Sequence, residues 1–157
     1  MPMCPGIQQR AAPMTFGELQ ALLESEAKAG ATGIRILEGL GTTLLRVTVE
    51  TVPGRLHGVW IRWEGDGDGE RVRMIAPCAR LEKGRHISSE AATALLRRNA
   101  SLAAGAIAIV TIDGTDHVAL VVPLRLAEVA PDGALLALIR AANAADAFEE
   151  TLGGDEL

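Results

Sequence analysis

The side chains best able to do chemistry in this sequence are two cysteines, three histidines and a run of alternating glycine and acidic residues. The histidines, His57, His86 and His117, are far apart and form no HxxxH or HExxH pattern, so their spacing predicts no metal site. Cys78 lacks the local signature of a cysteine nucleophile, and a small buried thiol beside a strand end is the simpler interpretation. We therefore expect neither a metal nor a cofactor.

The acidic run places Asp66 and Asp68 at alternate positions, as calcium loops do. An EF-hand loop beginning at Asp66 would need glycine at its sixth position and glutamate at its twelfth, where this chain has Arg71 and Pro77. The tip of a β-hairpin at residues 65–69 is therefore the better interpretation.

Motifs of the common enzyme classes are also missing from the sequence. It has no Walker loop, no GxGxxG turn after a strand and no GxSxG elbow. We expect no catalytic residues and no enzymatic activity. A small-ligand binder or an enzyme that uses Cys78 or the Asp66 and Asp68 loop is the less favoured alternative.

The strongest structural signal is a hairpin that Asp113-Gly114 joins, because a type I′ turn needs positive φ at both central residues. Its strands are predicted at residues 105–112 and 116–124. Both faces of the first strand are apolar, with Ile107 and Ile109 on one side and alanine, valine and isoleucine on the other. Such a strand is usually covered on both faces.

The other elements are set by caps, breakers and periodicity. Thr15 and Glu18 form a capping box for a first helix. Ser88 caps a second helix, whose inward side includes Leu95 and Leu96. A third, leucine-rich helix follows Pro131 and is closed by Gly153-Gly154. Further strands are predicted at 34–37, 43–51, 56–64 and 71–76. Pro77 should end the last of them, with a charged loop at 79–87.

These elements predict an α+β fold, an antiparallel sheet with helices packed on it in the order α-β(3–4)-α-β-β-α. Residues 14–153 would form a single domain, with residues 1–13 as a flexible arm and 154–157 as a tail. Alternation along 56–64 places Val59 and Ile61 towards the core, so that Trp60 and Arg62 lie on the outer sheet face.

Composition limits the partners. The formal net charge of −5 over 157 residues disfavours binding to nucleic acid or to an anionic membrane. Two cysteines do not make a disulfide framework, and the N-terminus lacks a basic region followed by an apolar core. We expect a cytoplasmic protein that has no signal peptide.

The chain also resembles a known family, in the layout of residues 14–152 and more specifically in its C-terminal half. The segments 95–99 (LLRRN), 105–109 (GAIAI), Asp113-Gly114 and 118–124 (VALVVPL), followed by the leucine-rich final helix, look like the small α+β superfamily of type III secretion chaperones of the CesT/Tir class and YbjN-like proteins. That resemblance implies a homodimer that holds a non-globular segment of another protein on apolar surfaces.

Two functions follow from these observations. The first is a chaperone-like, non-enzymatic protein-binding module, and the alternative is a YbjN-like regulatory or stress protein without a dedicated client. The candidate protein-binding residues combine the outer sheet face with the hairpin: Trp60, Arg62, Ile107, Ile109 and Val121.

Overall fold

The computed structural model describes residues 13–66, 69–83 and 86–152. The helices in these ranges are α1 (Phe16–Ala29), α2 (Ser89–Asn99) and α3 (Pro131–Leu152). The strands are β1 (Ile34–Gly39), β2 (Leu44–Val52), β3 (Arg55–Asp66), β4 (Gly69–Arg80), β5 (Ala106–Ile112) and β6 (Thr115–Arg125), and a 3-10 turn occupies Leu126–Glu128. The fold is α+β, as expected.

The six strands form an antiparallel sheet in the order β1-β2-β3-β4-β6-β5. The first four strands follow one another as hairpins, and the hairpin of β5 and β6 joins the sheet through pairing of β6 with β4. β1 and β5 are therefore the two edges of the sheet.

The helix starts follow their capping residues. The Thr15 hydroxyl accepts from the amide of Glu18, and the Glu18 carboxylate accepts from the amide of Thr15. Ser88 accepts from the amide of Ala91 at the start of α2, and Gly30 ends α1 with φ of 70°. These caps confirm the predicted starts of α1 and α2, because each satisfies amides that have no partner within the helix.

One side of the sheet carries the main core, and it is called the helix face here. α1 and α3 cover its centre, where Leu23, Val47, Met74 and Leu138 are almost fully buried in one apolar cluster. α2 covers the β5 end of the same side, where Leu95 packs in a second cluster with residues of β5 and β6. Each large apolar side chain buried there contributes roughly 1.5–3 kcal/mol to stability.

No helix among the described residues packs against the other side of the sheet, the open face. A small cluster of Ile75, Ile112 and Ala119 is nevertheless buried there, and Trp60 and Val110 pack against it. The predicted two-sided cover of the hairpin is therefore asymmetric. α2 covers one side, and neighbouring side chains of the sheet cover the other.

Pro77 does not end its strand, contrary to the prediction. β4 continues to Arg80, Pro77 pairs with Ala119, and the register shifts between Pro77 and Ala79. A bulge leaves one residue out of the ladder and so accommodates a residue that has no N–H. The predicted loop at 79–87 was therefore wrong at its start, since Ala79 and Arg80 still pair with β6.

The predicted turn at Asp113-Gly114 is present. Asp113 and Gly114 have φ of 50° and 75°, as a type I′ turn requires. At the acidic tip, Asp66 pairs with Gly69. Residues 67 and 68, the predicted arm and the closing pair Gly153-Gly154 lie outside the described residues, apart from Pro13 at the end of the arm.

Candidate functional site

The five predicted binding residues lie on different sides of the sheet. Trp60, Arg62 and Val121 belong to the open face, since they pair with Ile75, Arg73 and Ala106 and alternate with core residues. Ile107 is buried on the helix face, in the cluster beneath α2. Ile109 lies on the same side, but its side chain is 57% exposed. The structure therefore divides these residues into two surfaces.

On the open face, Trp60 is half-buried and an arginine lies over its ring. The guanidinium carbon of Arg46 is 5.1 Å from the ring centroid, and Glu38 in turn lies 3.5 Å from that guanidinium. Such a stacked pair contributes about 0.5–1 kcal/mol at an exposed site. The open face therefore carries charged side chains near β1, and its apolar part is the cluster of Ile75, Ile112 and Ala119 where β4, β6 and β5 meet.

The outer edge of β5 is closed at one point by a side chain. The Asn99 amide accepts from the Ile107 N–H at 2.6 Å and donates to the Ile107 carbonyl at 3.2 Å. Ile107 therefore directs both of its backbone groups away from β6. Because direction alternates along an antiparallel strand, Ile109 and Thr111 also direct their backbone groups towards the outer edge.

An apolar groove of about 240 Å³ lies between α2 and this edge. Its walls include Leu95, Leu96, Ile107, Ile109 and Val118. The prediction that Leu96 faces inward was wrong, since its side chain is 69% exposed. α2 lies at the margin of the sheet, so Leu95 is its one buried residue among those that the structure describes. The neighbouring Leu96 borders the groove instead.

Cys78 does not have the properties of a nucleophile. Burial raises the pKa of its thiol to about 11, and the Sγ atom lies 3.6 Å from the carbonyl of Ala76. The thiol is therefore protonated at neutral pH, whereas nucleophilic cysteines react as thiolates. The acidic alternative, Asp66 and Asp68, has side chains outside the described part of the structure.

A polar cluster between β3 and α3 was not anticipated from the sequence. His57 and Asp146 are buried, and Glu149 lies beside them with its Oε2 atom 3.9 Å from Nδ1 of His57. Asp146 is held by Arg55, with Nε at 2.7 Å, and by the Thr51 hydroxyl at 3.0 Å. Because 95 residues separate Thr51 from Asp146, local spacing could not reveal this cluster.

Burial lowers the pKa of His57, an effect that outweighs the opposing influence of Glu149 and Asp146. The imidazole is therefore neutral at pH 7. A neutral imidazole beside carboxylates can accept a proton or bind a metal ion.

No protein-family model, curated protein or solved structure matches this chain. In the described part of the chain, no helix combines the length and the hydropathy needed to cross a membrane.

Proposed function

We propose that this protein is a non-enzymatic, chaperone-like protein-binding module that holds an extended apolar segment of another protein along the outer edge of β5. The observation that carries this proposal is the outward-facing backbone of Ile109 and Thr111 beside the groove under α2. An edge strand with unpaired groups is a template for another strand, and natural proteins usually protect such edges.

Binding would follow the geometry of strand addition. The partner's backbone pairs with Ile109 and Thr111, beyond the point that Asn99 closes. Alternate side chains of the partner enter the groove lined by Leu96 and Ile109, and the others extend the apolar part of the open face next to Val110. Since β5 carries no charged residue, an apolar segment suits this edge.

The proposed homodimer uses the open face rather than the edge. Two such faces would pack with their half-buried Trp60 and Val121 side chains together, and Arg62 would lie at the rim. Aromatic and arginine side chains are enriched at interfaces, which supports this assignment. The β5 edges of both copies remain available to partners.

A photo-cross-linking amino acid at position 109 tests the edge. The matched control carries it at Leu136, an exposed leucine on α3 that does not line the groove. In the native host, we expect cross-links from position 109 to one contiguous segment of another protein, and none of that product from position 136. Ile109→Pro, which removes the edge N–H, should abolish binding of a synthetic peptide with the cross-linked sequence.

Two results would contradict the edge proposal. One is the same product from both positions, and the other is no cross-linked protein from position 109, which would favour a regulator without a client. The dimer is tested separately by light scattering on Arg62→Glu, with Arg97→Glu on α2 as control. We expect the former to weaken self-association about tenfold or more, and a monomeric wild-type protein would refute the dimer.

A further inference from the structure

The polar cluster has three potential metal-ligand side chains from two elements. β3 directs His57 towards α3, and Asp146 and Glu149 lie one helical turn apart on the facing side of α3. One ligand atom from each of these residues lies within 4.8 Å of the other two. His57 and Asp146 are 7% and 6% exposed, and the Glu149 side chain is 53% exposed.

The imidazole of His57 interacts with the Pro77 backbone but is otherwise not satisfied by hydrogen bonds within the described residues. Its Nε2 atom is buried without a partner, and Nδ1 is too far from Glu149 for a hydrogen bond. A buried polar atom without a partner destabilises the folded state. The His57 ring is held by packing and its Nε2 atom has no partner, so binding a ligand takes little further conformational entropy from the side chain.

The charges around the imidazole are also unbalanced. Asp146, Glu149 and Glu150 carry three negative charges, and Arg55, which contacts Asp146 and Glu150, carries one positive charge. The excess of two negative charges equals the charge of a divalent cation. Arg55 and Thr51 bind the Asp146 carboxylate from outside, as outer-shell groups hold the ligands of metal sites.

We propose that His57, Asp146 and Glu149 form a zinc-binding site that joins α3 to β3. One imidazole nitrogen and two carboxylates suit zinc, whereas calcium and magnesium prefer oxygen ligands alone. Three protein ligands leave a fourth position for water, as in sites that are open to solvent.

Closing the site needs a modest movement. Tetrahedral zinc with bonds of about 2.0–2.1 Å places its ligand atoms about 3.3 Å apart, so the present spacing must contract. Glu149 supplies this movement because its side chain is half-exposed, whereas His57 and Asp146 are fixed by packing and by Arg55. The ion would then hold the C-terminal part of α3 on the β2–β3 hairpin.

Calorimetric titration of the full chain with zinc, after removal of metals with a chelator, tests the proposal. We expect one zinc ion per chain for wild type, affinity reduced about tenfold or more by Glu149→Gln, and no binding by His57→Gln. Glu128→Gln, at an exposed glutamate that pairs with Arg125, is the matched control and should bind as wild type does.

Cobalt provides a second readout, since its visible spectrum reports the ligand types. We expect absorption typical of nitrogen and oxygen ligands, without the intense near-ultraviolet band of thiolate ligation, and its loss in Glu149→Gln. Three results would overturn the proposal: no binding at millimolar zinc, equal binding by wild type and Glu149→Gln, or a thiolate band, which would assign the metal to a cysteine. Because Glu149 is exposed, its variant should fold normally.

Discussion

Replacing Asn99 with alanine should destabilise the protein and expose one specific backbone amide. The Asn99 side chain makes two hydrogen bonds to Ile107, at 2.6 and 3.2 Å, in a half-buried setting. Each bond contributes about 0.5–1.5 kcal/mol, so losing both costs about 1–3 kcal/mol. Alanine is the better helix former and returns about 0.5 kcal/mol at the last residue of α2.

The expected net loss is therefore about 0.5–2.5 kcal/mol in the free energy of unfolding, measured by urea denaturation, with a fall in Tm of about 1–10 °C. Asn143→Ala is the matched control, because Asn143 is an exposed residue within α3. It removes the same side chain from a helix without touching a strand edge, so its stability should be unchanged or slightly higher.

Amide hydrogen exchange identifies the bond itself. In the wild type, the Ile107 N–H should exchange slowly although it faces the sheet edge, and the Ile109 N–H should exchange fast. In Asn99→Ala, the Ile107 amide should become as fast as that of Ile109, whereas Leu120 on the neighbouring strand stays protected. An unchanged Ile107 amide, or a loss of stability equal to that in Asn143→Ala, would refute the assignment of Asn99 as a cap on the edge.

Three further predictions follow from the backbone and the buried groups. Gly105→Ala should destabilise the protein more than Gly114→Ala. Both glycines have φ of 75°, but a Cβ at Gly105 would lie 2.5 Å from the Val121 carbonyl oxygen, whereas a Cβ at Gly114 would meet open space. Urea denaturation should give a loss of about 1–2 kcal/mol for Gly114→Ala, and an equal loss in both variants would contradict this view. Cys78 should resist alkylation at pH 8 in the native protein and react after denaturation, as followed by peptide mass spectrometry, because burial raises its pKa to about 11. Burial lowers the pKa of His57 in the folded protein, so as pH falls the unfolded chain takes up a proton on this imidazole before the folded chain does. The metal-free protein should therefore lose stability as pH falls below 6.5, and His57→Gln should lose less.

Much of the fold could be predicted because its signals are local. The Thr15 capping box, the Ser88 cap and the Asp113-Gly114 turn each depend on residues within four positions of one another, and the structure contains all three. Pro77 was misjudged because its effect depends on a neighbouring strand. The bulge that accommodates it is defined by pairing with β6, which follows some forty residues later in the sequence.

The candidate sites were less predictable, for the same reason. Alternation separates the faces of β3 and β5, but it does not reveal that Leu96 borders a groove or that Asn99 binds the edge of β5. The cluster of His57, Asp146 and Glu149 depends on how α3 crosses the sheet. An aspartate and a glutamate three residues apart on a largely apolar helix were its local sequence signal.

The order of the elements also has a consequence for synthesis of the chain. β1 to β4 form a meander of consecutive hairpins, whose pairing needs no later residue, yet α3, which covers much of the helix face, is the last described element. When β6 has emerged from the ribosome and α3 has not, the nascent chain therefore exposes Val47, Met74 and Leu120 to water. Until α3 emerges, that uncovered surface is open to aggregation or to binding by general chaperones, so a premature stop before residue 131 should yield an insoluble fragment.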